Sequence, residues 1–174
     1  MNVRKVSIIA TLTALCVATN YALVGVPNVK VMDFIIFIGG FCFGPFTGAL
    51  IGALSWIVYG LINPYGFLLP IYLATMFAES IYGIVGGLIG KSLASIDFKG
   101  QHLRLCTLFG IFACMLTLIY DIVTNIVFAV TFSIPIVLAV IFGVPFMFIH
   151  VFSNIAIFSL GSIPLITAMR KILK

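Results

Sequence analysis

Residues 105–132 read L-C-T-L-F-G-I-F-A-C-M-L-T-L-I-Y-D-I-V-T-N-I-V-F-A-V-T-F, an apolar run in which Asp121 is the one charged side chain. About 20 predominantly apolar residues suffice for a helix to cross a bilayer, so the run predicts a transmembrane helix. A carboxylate at the centre of such a helix costs about 2.5–3.5 kcal/mol on insertion scales and normally faces a bundle interior or a watery cavity. Asn125, four residues on, shares its helical face. Two readings follow: an interhelical hydrogen-bonding pair that serves packing, or the polar wall of a binding cavity.

Composition extends the membrane reading to the whole chain. It is 63% hydrophobic and 7% charged, against about 25% charged in soluble domains. With 174 residues there is room for five or six spans and no additional soluble domain. The expectation is an all-α integral membrane protein, a bundle of six transmembrane helices forming one domain over residues 1–174. The net charge of +5 is read as topology, since no basic stripe with interleaved aromatics points to nucleic acid. Cys16, Cys42, Cys106 and Cys114 lie in apolar runs without a C-x-x-C pair and read as small buried hydrophobes. The basic, apolar start could pass for a signal peptide, but no small-residue cleavage site leads into a polar mature sequence.

The spans are expected at about residues 3–24, 33–44, 45–62, 69–94, 105–132 and 145–169. Gly44-Pro45 separates the second from the third, and Asn63-Pro64-Tyr65-Gly66 is a turn signal after the third. Residues 136–144, bracketed by Pro135 and Pro145, read either as a re-entrant piece or as the outer end of span six. Arg4, Lys5, Lys91, Lys99, Arg104, Arg170, Lys171 and Lys174 then fall on one side and Lys30 on the other. By the positive-inside rule both termini are cytoplasmic. Glycine-rich patches recur without a convincing internal repeat.

The polar residues converge at one depth. Asp121 and Asn125 lie toward the outer end of span five, and His150 and Asn154 repeat their spacing on span six. Glu79 and Tyr82 lie on span four, and Trp56, Tyr59 and Asn63 approach the outer end of span three. Trp56 and Tyr59 can also be read as interfacial belt aromatics, and His150 as a satisfied core histidine. Glu79 and Asp121 lack a matching Lys or Arg in their spans, so solvation, protonation or a ligand must offset them. An outward-open cavity lined by aromatics and a few polar groups is the usual form of a small-molecule site.

Small residues form two ladders. Gly44, Gly48 and Gly52 read as packing within the chain, while Ala10, Ala14 and Ala18 on span one can serve internal packing or a partner.

The basic start, the alanine ladder, the motif M-D-F-I-I-F-I-G-G-F-C-F-G-P-F-T-G-A-L-I-G-A-L over Met32–Leu54 and six helices in this length resemble the substrate-binding S component of an energy-coupling factor (ECF) transporter. The resemblance covers the whole chain, and residues 33–54 are its most specific part. It implies capture of a vitamin or similar micronutrient from outside, in the plasma membrane, with the loop after helix one as a lid. Delivery would run through a transmembrane coupling protein and two ABC-type ATPases, so the chain itself is no enzyme and needs no cofactor. Ala10, Ala14 and Ala18 would contact the coupling protein. Asn2 stands where nickel and cobalt members carry a histidine ligand, which argues against a metal substrate.

The expected site comprises Lys30, Asp33, Trp56, Tyr59, Asn63, Glu79, Tyr82, Asp121, Asn125, His150 and Asn154. Its acids and aromatics would suit a ring-bearing ligand with a cationic or hydrogen-bond-donating group, such as a thiamine-like or pyridoxamine-like molecule. Lys30 on the lid could instead engage an anionic group. Two other classes stay open: a non-transporting structural membrane protein, and an intramembrane enzyme using Asp121, His150 and Glu79. No H-E-x-x-H or G-x-S-x-G motif supports the latter.

Overall fold

The computed structural model describes residues 2–64, 66–96, 98 and 100–172. Among these the chain forms six α-helices: α1 (Val3–Ala22), α2 (Val31–Phe43), α3 (Pro45–Leu61), α4 (Leu69–Ser92), α5 (His102–Thr131) and α6 (Ile136–Ile172). Tyr65 of the turn signal, and Lys99 and Lys174 of the basic residues, lie outside the described residues.

Four helices, α1, α4, α5 and α6, are long and apolar enough to cross a membrane. The other two are apolar but shorter, with 13 residues in α2 and 17 in α3. At 1.5 Å per residue they extend about 20 and 25 Å, less than the roughly 30 Å of a hydrocarbon core. Of the two readings of residues 136–144, the structure favours the outer end of span six over a re-entrant piece. These residues are the first turns of α6, which continues through Pro145 and Pro164 for 37 residues. Pro145 therefore does not open span six. Proline inside a helix removes one backbone bond without forcing an end where neighbouring groups compensate, as membrane helices allow.

The short α2 is the centre of the bundle, packing against α1, α3, α4 and α6. Every residue from Met32 to Phe41 is buried, which explains a sequence that is apolar all round and not amphipathic. Close approach to α4 rests on glycine. A Cβ at Gly83 would collide with the backbone of Gly48, and one at Gly40 or Gly48 with the carbonyl of Gly83. Gly52 likewise faces Glu79 and Ser80 backbone. All three ladder glycines thus pack within the chain, Gly44 through its backbone, which a Cβ at Gly87 of α4 would meet at 2.7 Å. Nothing lies within 4 Å of a Cβ built on Gly44 itself, and its φ of +97° makes it the hinge between α2 and α3. Ala10, Ala14 and Ala18 are exposed along one face of α1, the helix that contacts only α2 and α3.

Candidate functional site

The first turn of α2 carries the group around which the site is built. Asp33 is completely buried, and its place in the first turn sets a carboxylate where the helix dipole favours one. Its Oδ2 lies 2.8 Å from His150 Nε2 and accepts a 2.8 Å bond from Asn154 Nδ2. The other ring nitrogen, His150 Nδ1, stands 2.9 Å from Asp121 Oδ1. One imidazole therefore joins carboxylates from α2 and α5, and each of the two contacts contains a proton, on the ring or on the carboxyl. Asn154, one turn beyond His150 on α6, also donates to Thr117 Oγ1 at 2.8 Å, and the Tyr82 hydroxyl donates to the same oxygen at 3.0 Å. A third acid lies beside them: Glu79 Oε2 accepts a 2.9 Å bond from Trp56 Nε1.

Three of the chain's four acidic residues thus meet in one region, and two basic groups answer them. Neither Glu79 nor Asp121 forms an ion pair with a Lys or Arg among the described residues; the basic groups near them are His150 and Lys30. His150 contacts Asp121 directly, and Lys30, the N-cap residue of α2, exerts its charge on both Asp33 and Glu79. Sequence separation concealed this, because the cations come from a loop and from α6, not from the spans that carry the acids.

The loop between α1 and α2 closes over this region. Lys30 Nζ donates to the Tyr120 hydroxyl at 3.1 Å while lying 4.2 Å from that ring's centroid and 5.7 Å from that of Trp56. Asn28, in the left-handed conformation at φ +54°, donates from Nδ2 to the Phe146 carbonyl at 3.0 Å. Beneath these residues is a cavity of about 300 Å³ that includes Tyr120, Asp121, Thr124 and Asn125 on its walls. Four acceptors in the region, Asp33 Oδ1, Glu79 Oε1, Asp121 Oδ2 and Asn154 Oδ1, have no hydrogen-bond partner among the described residues.

Of the expected residues, Lys30, Asp33, Glu79, Trp56, Tyr82, Asp121, His150 and Asn154 form a connected set. Tyr59 joins at its edge, with its ring 5.4 Å from those of Trp56 and Tyr21. Asn125 lines the cavity, and its amide group lies next to Gly143 of α6, where a Cβ would meet Nδ2 at 2.6 Å. Asn63 lies beyond the end of α3, half-buried, and does not line the cavity. Sequence reasoning missed Tyr120, Thr117 and Asn28. Thr117 precedes Asp121 by four residues and could have been found by the same spacing that singled out Asn125. A second, larger cavity lies at the opposite end of the helices, away from all of these residues.

A protein-family model described as "ECF-type riboflavin transporter, S component" matches residues 1–171. No curated protein and no solved structure matches the chain.

Proposed function

The chain belongs to the family of ECF-type riboflavin transporter S components, and from that premise we propose that it captures riboflavin from outside the cell at the Asp33–His150–Asp121 cluster. The family is one of transporter components and not of enzymes. In this reading the whole chain is one domain that crosses the plasma membrane six times with both termini in the cytoplasm. It passes its ligand to a coupling protein driven by two ATPases, which hydrolyse the ATP.

The observation that carries the substrate reading is the pairing of a polar, acceptor-rich wall with aromatic faces. Riboflavin has a conjugated ring system and a polyhydroxylated chain. Hydroxyl donors of the chain suit Asp121 Oδ2, with Asn154 Oδ1 behind it, and Tyr120 and Phe146 on the cavity wall offer rings for stacking. A neutral, hydroxyl-rich ligand also agrees with a cluster whose acids already face His150 and Lys30. The cavity of about 300 Å³ is at the small end of ligand sites, about 300–1,000 Å³. Lifting the α1–α2 loop, which Asn28 and Lys30 pin to α6 and α5, would enlarge it and open the way in.

The topology is supported by where the helices end. Lys91, Arg104, Arg170 and Lys171 lie at the end of the bundle that also holds the start of α1, and Lys30 lies at the other. Titrating the purified protein with riboflavin, following flavin fluorescence, tests the assignment. Saturable binding at one equivalent is expected. Absence of binding by riboflavin, with a different molecule retained in native mass spectra of the purified protein, would replace the substrate.

A further inference from the structure

The larger cavity, about 890 Å³, lies where α2 stops short. At 13 residues α2 is about 20 Å long, while the 24 residues of α4 reach about 36 Å. The Gly44 hinge is consequently recessed between the far ends of α4 and α6. The recess has a graded lining: Phe41, Ile163 and Ile166 are buried at its floor, and Lys91, His102 and Lys171 are exposed at its rim. No carboxylate of a described residue lines it.

Arg170 gives this basin a fixed cationic wall. Its guanidinium donates to the Leu93 and Ile96 carbonyls at 2.7 and 2.9 Å and lies 4.3 Å from the centroid of the Phe98 ring. These contacts use two of five N–H donors, so the side chain is held in place with capacity left over. Such a lining is complementary to an amphiphile with an anionic head. A free phosphate-bearing solute would leave the apolar floor unmatched, and a neutral lipid would leave the rim unmatched.

We propose that this basin binds one anionic phospholipid, its phosphate against Lys91, Lys171 and Arg170 and an acyl chain over Phe41, Ile163 and Ile166. Basic pockets between helices on the cytoplasmic side are a recurrent form of anionic headgroup site. The inference rests on the membrane location of the chain and is independent of its substrate. By occupying the recess, the lipid would fill the length that α2 lacks and brace the α2–α3 hinge against α4 and α6.

The test uses the full chain in neutral detergent with added phosphatidylglycerol or phosphatidylcholine, read by native mass spectrometry and by thermal unfolding. One retained phosphatidylglycerol and a raised unfolding midpoint are expected, with neither effect from phosphatidylcholine. Lys91→Gln with Lys171→Gln should weaken phosphatidylglycerol binding about 30-fold, at about one decade or less per basic residue, and leave riboflavin titration unchanged. Should the double variant fold poorly, Ala94→Trp, placed at the exposed rim, should exclude the lipid without removing charge. Equal retention of both lipids, or retention of phosphatidylglycerol by both variants, overturns the proposal. Equal stabilisation by inorganic phosphate would do the same, since the site would then be read as one for a soluble anion. Loss of riboflavin binding in wild-type protein would bear on the substrate alone.

Discussion

Asp33 on α2 and His150 on α6 meet at 2.8 Å, Oδ2 to Nε2, across 117 positions of the chain, with both side chains fully buried. The contact ties the central helix to the longest one. It also fixes the imidazole so that its other nitrogen reaches Asp121 on α5. Three helices are therefore held by one ring.

Replacing that ring should reveal its weight. In His150→Ala two buried carboxylates lose their common partner, and breaking a buried pair by removing one member costs about 3–5 kcal/mol. A marked fall in the unfolding midpoint in detergent is expected. An unchanged midpoint would show that the carboxylates are satisfied without the ring.

Asp121 should separate binding from folding. It is on the cavity wall, its carboxylate hydrogen-bonds His150, and its other oxygen has no hydrogen-bond partner among the described residues. Asp121→Ala is expected to weaken riboflavin binding by tenfold or more, in line with about 1.5–3 kcal/mol for a hydrogen bond to a charged group, while the protein still folds. Wild-type affinity in a fluorescence titration would make Asp121 a packing residue and move the site toward Asn154 and Tyr120.

What could be read in the sequence divides along a physical line. Helix identity, the acids at membrane depth and the i, i+4 pairs were legible, because each depends on local period and on the cost of burying charge. The counter-charges were not, since nothing local links Lys30 to Glu79 or His150 to Asp33. The start of α6 was left open between two readings for a related reason. Pro135 and Pro145 look like two punctuation marks, but only the first lies outside a helix. The glycine ladder was legible as packing, but the spacing did not show that Gly44 is also the turn between α2 and α3.

The topology has its own check. Reporter domains fused at Gly66, between α3 and α4, and at Gly100, between α4 and α5, should report outside and cytoplasm respectively. The same side for both would mean that α4 does not cross, and the six-span reading would fail despite the length and hydropathy of that helix.

Glycine packing makes a prediction that is independent of the ligand. Gly83→Ala places a methyl group on the Gly48 backbone, and forcing an extra methylene into a tight contact costs about 1–3 kcal/mol. Gly25→Ala, where nothing lies within 4 Å, is the matched control and should be neutral. Equal unfolding midpoints for the two variants would show that α3 and α4 separate readily.

The exposed ladder on α1 distinguishes capture from coupling. Ala10, Ala14 and Ala18 face away from the chain's own helices, so a large side chain there meets no internal neighbour and should leave folding intact. Small residues matter in lipid because they let a second helix approach closely where packing, and not a hydrophobic drive, supplies association. If the ladder is the contact for the coupling protein, Ala14→Trp should give a stable chain with wild-type riboflavin affinity. That chain should neither co-purify with the coupling complex nor support uptake in cells. Measuring affinity, pull-down and uptake on this one variant decides between the two roles. Loss of binding in step with uptake would show that the ladder serves the chain's own packing. Normal uptake would remove it from coupling, because a tryptophan at the middle of a helix contact in lipid is too large for a partner to pass over at the separation that alanine allows.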